Sequence, residues 1–271
     1  MAADSRLVNF MEMEKQYGQV FRLKLGEQLA IMVSGQAIKE AFVTKAADFA
    51  GRPSLHSTEI FTYGGKAYSV ATVDYSPQWK LLRKISVEAY KMYTSDVQKQ
   101  ATVINQEFDS VIQRIQSRDG QPHDITKDVL LAVTNVFCVM MFRSRYELDD
   151  PEFTRLAELE SGIFNLFTGG FLVDVFPWLK CFPFKSIQTL KEFVEDRNKI
   201  LGRIHREHVA ANRMQNPGDL TDALLKAKKE AEEEDSANEG LVTDQHVIML
   251  MNEIFIASMV NIANTLSWAL L

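Results

Sequence analysis

Two sets of side chains in this sequence have types and spacing that suit chemistry. One is Trp79 and Arg83. The other is a polar run in the last stretch: Glu253, Ala257, Asn261, Asn264, Thr265 and Trp268. Trp79 and Arg83 fall one turn apart on a helix, on the same face. An indole N–H beside a guanidinium fork suits a carboxylate. The same pair is also an ordinary surface cation–π contact, and the motif alone does not decide between them. The second set recurs at steps of three and four within an apolar segment, which puts a narrow polar stripe on one face of a buried helix. Such a stripe is either a few satisfied core amides or the wall of a ligand site. His205 and His208 stand at i and i+3 with no third ligand in view, so a solvated helix face is expected there. Cys138 and Cys181 are far apart and lack metal-ligand spacing. They read as small buried hydrophobes in a reducing compartment, and no metal site is expected from this chain's own residues.

Composition narrows the class. The 271 residues are 46% hydrophobic and 24% charged, with a net charge of −6. These values fit a soluble globular chain and argue against a nucleic-acid binder. Residues 1–30 carry no signal peptide and no membrane-spanning run.

The elements that must position these residues are mostly helices. Residues 7–17 read as a short helix. A β-hairpin turning at Gly26 joins Val20–Leu25 to Leu29–Val33. Helical periodicity covers residues 36–45, and a short helix ends near Phe61. A loop over residues 62–75 leads to Ser76-Pro77, an N-cap with proline at the first helical position. That helix runs to about Tyr93. An amphipathic helix is expected over residues 95–117, with Val97, Ala101, Ile104, Phe108, Val111, Ile112 and Ile115 inward. Asp124 or Thr126 caps a buried helix through Phe142, and residues 147–151 break the chain before a helix over 152–167. The aromatic segment 171–184, flanked by Lys180 and Lys185, suits either a membrane interface or a buried loop. A long polar helix spans about 187–214, and a short one 219–229. The acidic stretch 230–240 reads as a surface loop. Residues 244–271 form a long helix, apolar nearly all round and capped by Thr243, with no glycine or proline to break it. Its polar residues favour a core helix over a membrane span. The chain ends without a C-cap, as expected of the middle of a longer protein.

In this order the pattern resembles the cytochrome P-450 family of heme-thiolate monooxygenases, and more narrowly its steroid 17-alpha-hydroxylase/17,20-lyase group. The carrying residues are Lys15-Gln16-Tyr17-Gly18, Asp48 to Pro53, Trp79-x-x-x-Arg83, Ala132 to Val136, Val173 to Lys180, Asp219 to Lys228, and Trp268. The resemblance covers nearly the whole chain. It implies a mainly α fold with a small N-terminal β-hairpin, in which residues 1–271 form a single incomplete domain ending in the long distal helix. It also implies a heme (iron) cofactor, with Trp79, Arg83, Ala257 and Ser258 beside it. Asn165, Ala257, Asn261 and Ile262 would meet a lipophilic, steroid-like substrate. NADPH-cytochrome reductase and cytochrome b5 would be the redox partners, received on the face of Lys80 and Lys84. Residues 171–184 would touch the endoplasmic reticulum membrane on its cytosolic face.

The sequence also departs from the family's pattern. The distal helix of the family carries Ala-Gly-x-Asp/Glu-Thr-Thr, and here Ala257-Ser258-Met259-Val260-Asn261-Ile262 stands in that place. Val260 replaces the acid and Asn261 the alcohol of the family's proton relay. Valine carries no proton, and an amide is no general acid. The family's ligating cysteine lies in a loop beyond this helix, and neither Cys138 nor Cys181 sits in such a motif. A non-catalytic helical protein that binds a lipophile or a partner is the competing expectation.

Overall fold

A computed structural model describes residues 2–63, 68–95, 97–147 and 150–270. Parts of the expected loop (64–67) and of the expected break (148–149) lie outside them. The chain opens with α1 (Ala2–Tyr17) and a hairpin, β1 (Val20–Leu25) with β2 (Gln28–Val33). Val20 pairs with Val33 and Leu25 with Gln28. Gly26 makes the turn at φ 60°, where a Cβ would come within 2.6 Å of the Val175 carbonyl oxygen. Glycine is therefore required both for the turn and for the close approach. Next come α2 (Gln36–Lys39), continued by a π-helical turn to Thr44, and α3 (His56–Phe61).

The helical body consists of α4 (Pro77–Thr94), α5 (Val97–Gln116), α6 (Thr126–Phe142), α7 (Pro151–Gly169), α8 (Leu172–Val175), α9 (Lys185–Ala211), α10 (Leu220–Glu234) and α11 (Asp244–Ala269). The starts follow the capping chemistry in the sequence. The Ser76 hydroxyl accepts the Trp79 N–H at 3.1 Å, and Pro77 sits where no N–H is needed. Asp150 accepts from Glu152 and Phe153, and Asp219 from Asp222. Leu82, Ile85 and Ala89 of α4 share one buried cluster with Ala223, Leu224 and Ala227 of α10 and with Leu250, Met251, Phe255 and Met259 of α11. Each fully buried Leu or Phe in such a cluster contributes roughly 1.5–3 kcal/mol. Asp174, within α8, ties α8 to α3 and the hairpin. Its carboxylate accepts the N–H and hydroxyl of Ser57 at the start of α3, and its carbonyl accepts from Gln28 at 2.9 Å.

Four expectations are corrected by the structure. The apolar stripe of α5 is mostly exposed: Val97 is 71% and Ile112 51% accessible, while Val111 is buried. The helix packs on α6 alone among the described elements with which it makes substantial contact, so one ridge suffices. His205 and His208 are buried rather than solvated. His208 bonds the Ile204 carbonyl at 2.8 Å and Asp219 at 3.0 Å. The acidic stretch begins as helix, because α10 runs to Glu234 and buries Ala231. Lys228–Glu232 and Lys229–Glu233 pairs at i, i+4 steady that end. Cys181 is exposed, and only Cys138 is buried.

Candidate functional site

The end of α3, the C-terminal turns of α7 and the middle of α11 line an open apolar cavity of about 220 Å³. Phe61, Ile163, Phe164, Phe167, Ile256 and Ala257 form its walls, and Asn261 and Thr72 add the polar rim. Residues 163, 164 and 167 line it because steps of one, three and four residues share one face of α7. Asn165 lies off that face and is exposed, so the expected substrate anchor does not reach the cavity. The helical period, which turns neighbouring residues about 100° apart, is the reason.

On α11 the expected polar stripe is real but uncovered. Ala257, Asn261, Asn264, Thr265 and Trp268 are exposed, Ile262 beside them is 43% accessible, and Ser258 is half-buried. The buried face is the opposite one, carrying Leu250, Met251, Phe255, Met259, Val260 and Ala263. Val260 therefore faces the core, away from Asn261. Asn261 donates from Nδ2 to the Ala257 carbonyl at 2.8 Å, and Thr265 donates to the Asn261 carbonyl at 2.8 Å.

Glu253, one turn before Ala257, is spent on structure. Its carboxylate accepts the N–H of Val70 at 2.9 Å, that of Ala71 at 3.3 Å, and the Ser69 hydroxyl. Burial pushes this carboxyl above its usual range, against the pull of those hydrogen bonds. The pinned loop presents the Val70 carbonyl to the Trp79 indole N–H at 2.9 Å. The expected Trp79/Arg83 clamp is thus only half free: a half-buried indole N–H has found an acceptor, as such groups do. Arg83 is exposed and has no hydrogen-bond or ion-pair partner among the described residues.

Behind the cavity wall lies a polar pair that sequence reasoning missed. Glu160 of α7 and Arg197 of α9 are both fully buried. Arg197 donates to the Phe61 carbonyl at 3.0 Å and lies over the Phe61 ring at 4.8 Å. Neither oxygen of Glu160 has a hydrogen-bond partner, nor do Nη1 of Arg197 or Oδ1 of Asn252. Burial pushes the Glu160 carboxyl up to about 7, although the nearby Arg197 charge pulls it down. Burial likewise pushes Arg197 below its usual range. The signal was present in the sequence. Glu160 interrupts the stripe of residues 153, 156, 157, 163, 164 and 167, and Arg197 the stripe 187, 190, 194, 201 and 204.

A family model for cytochrome P450 matches residues 2–271. The chain belongs to the cytochrome P450 family. The steroid 17-alpha-hydroxylase/17,20 lyase of Squalus acanthias is 34% identical over 264 residues, covering 97% of this chain and 52% of the relative. That of Ictalurus punctatus is 33% identical, covering 97% and 51%. A solved structure described as zebra fish cytochrome P450 with progesterone superposes with a TM-score of 0.83 at 30% identity, covering 97% of this chain and 58% of the other. A second, with abiraterone, gives 0.77 at 30% identity. The chain spans about half the length of the curated relatives it matches. Cytochromes P450 are heme-thiolate proteins, and the mainly helical fold with one small antiparallel sheet is theirs.

The residues of this P450 chain fit one face and one edge of such a group. The uncovered face of α11 offers the small Ala257 for a flat apolar ring, and the free Arg83 guanidinium suits a carboxylate. Neither cysteine fits the thiolate role. Cys138 is buried and its thiol is pushed far up by burial, while Cys181 sits on the exposed aromatic segment.

Proposed function

We propose that this chain supplies the substrate cavity and distal wall of a heme-thiolate monooxygenase that hydroxylates a lipophilic, steroid-like molecule with dioxygen. The carrying observation is the apolar cavity at α3, α7 and α11, backed by a buried carboxyl and guanidinium with unused hydrogen-bonding capacity. An apolar cavity with a few convergent polar groups is the usual form of a small-molecule site. The steroid-hydroxylating relatives support the substrate class.

Heme, when bound, supplies the oxygen-activating iron. Arg83 would hold a carboxylate of that group, and Trp79 adds a second donor on releasing Val70. Ala257 and Ser258 would lie beside that group. Phe61, Phe164 and Phe167 exclude water and hold the substrate's apolar body, while Ile262, exposed on α11, is not among the residues lining the cavity. Asn261 keeps one Nδ2 hydrogen and its Oδ1 free and orients a small polar molecule without ionising. Val260 moves no proton. Glu160 lies behind the cavity wall, near neutral in its titration, and on a shift of the wall would donate to a ketone when protonated or accept from a hydroxyl when ionised. Electrons would come from NADPH-cytochrome reductase, with cytochrome b5 as a further partner at the basic face of α4. Leu172, Trp178 and Phe182 are each more than half exposed beside Lys180 and Lys185, which supports contact with the cytosolic face of the endoplasmic reticulum membrane.

Progesterone titration of the protein, followed by calorimetry, tests the cavity. Saturable binding that Phe164→Trp weakens at least tenfold is expected, and heat indistinguishable from that of the variant would refute it. The position of Val260 favours a second reading, a lipophile-binding protein without catalysis. Hemin titration separates the two: a stoichiometric complex weakened by Arg83→Gln supports the enzyme, and its absence supports the carrier.

A further inference from the structure

A second, open cleft of about 750 Å³ shares α3 with the apolar cavity: Ile60 faces the cleft and Phe61 the cavity. Val194 of α9 and Ile248 of α11 complete its apolar floor. Its polar groups are arranged unevenly along α9. Asn198, Gly202 and Arg206 follow at four-residue steps and so lie on one face. Gly202 leaves the helix backbone open there, and the Arg206 Nη1 lies 3.4 Å from where a Gly202 Cβ would stand, so the guanidinium folds over the gap. Arg206 has no ion-pair partner among the described residues. The Asn198 carbonyl oxygen accepts from Arg197 Nε at 3.3 Å and Nη2 at 3.2 Å. A guanidinium cannot accept, so this contact fixes the amide with its NH₂ turned away from Arg197. That NH₂ is buried and has no partner, and the same holds for the NH₂ of Gln245, which also lines the cleft. Lys199 is committed to Asp196 at 3.1 Å, Glu195 adds one carboxylate, and Lys191 stands far off. At about 1.5 Å per residue, Lys191 lies on the order of 20 Å along α9 from Arg206.

We propose that this cleft binds a single anionic amphiphile. Its carboxylate, sulfate or phosphate head would lie across Gly202, against Arg206 and the amide donors of Asn198 and Gln245. Its apolar body would lie along Ile60, Val194 and Ile248. The cation and the two unpartnered donors belong to residues lining this one cleft, and a head with several acceptor oxygens is a group that satisfies all three. A floor bounded by three helices admits one free molecule rather than a bilayer face.

The test titrates the protein with decyl phosphate, decanol and inorganic phosphate, read by calorimetry. Decyl phosphate is expected to bind, and Arg206→Gln and Gly202→Leu to weaken it at least tenfold. Lys191→Gln, which removes an equal charge at the far end, should change it less than twofold. Decanol binding should be the same in Arg206→Gln and the unaltered protein. Amide exchange should slow around residues 198–206 and 245–248 on adding decyl phosphate. Equal losses in Lys191→Gln and Arg206→Gln, or no loss in Arg206→Gln, would overturn the proposal. Arg206 is exposed, so its replacement leaves the core untouched.

Discussion

Two buried polar clusters in this molecule are built on opposite principles. Between α5 and α6, Asn135 donates to Glu107 at 2.8 Å and to the Tyr146 carbonyl at 3.0 Å, and accepts the Tyr146 N–H at 3.0 Å. Glu107 is completed by Arg145 at 2.7 Å. Every polar side-chain atom of Asn135 and Glu107 is used. Between α7, α9 and α11, Glu160 keeps both oxygens unpaired, and Arg197 and Asn252 each keep one atom unpaired. Unpaired buried groups cost stability, and a fold tolerates them where they serve something besides folding. The first cluster fastens a turn. The second backs the cavity.

The contrast can be broken from either side. The largest effect is expected at the satisfied cluster. Asn135→Ala strands Glu107 and the Tyr146 backbone, and should cost about 3 kcal/mol in urea unfolding while leaving progesterone affinity unchanged. Next is the pH dependence of Glu160. Its carboxyl titrates near 7 when folded, against an ordinary value of 4.5. A raised acid favours its protonated form in the folded state, so folding is helped below the unfolded value and loses that help as pH rises toward 7. The stability of the unaltered protein relative to Glu160→Gln should therefore fall by up to about 3 kcal/mol between pH 4.5 and pH 7.5. A flat difference would place Glu160 among the satisfied groups. Phe61→Leu removes the ring under Arg197 and should cost about 1–2 kcal/mol in thermal unfolding. The smallest effect belongs to Arg83→Gln. An exposed, unpaired side chain should change stability by less than about 0.5 kcal/mol, although the same change weakens hemin binding.

Much of the fold was legible in the sequence. Ser76-Pro77 and Thr243 mark helix starts by local chemistry, and Gly26 marks the hairpin. These signals act within a few residues, so no tertiary information is needed to read them. The site was less legible. The stripe on α11 was found by periodicity, but which face the core would cover depends on α6 and α7, which lie far away in sequence. The same limit misplaced Asn165 and the histidines of α9. Glu160 and Arg197 show what was available: charges standing where the helical period demands apolar residues. Their distance in sequence hid the pairing, and only the crossing of α7 and α9 brings them together.

The most direct test is the titration of the Glu160 side-chain carboxyl, observed by carbon-13 NMR and assigned through Glu160→Gln, with and without progesterone. A midpoint near pH 7 is expected in the free protein. Progesterone carries only ketones, which need the protonated donor, so binding should move the midpoint upward. A midpoint at the ordinary carboxylate value, unmoved by progesterone, would contradict both the orphaned carboxyl and its place behind the cavity.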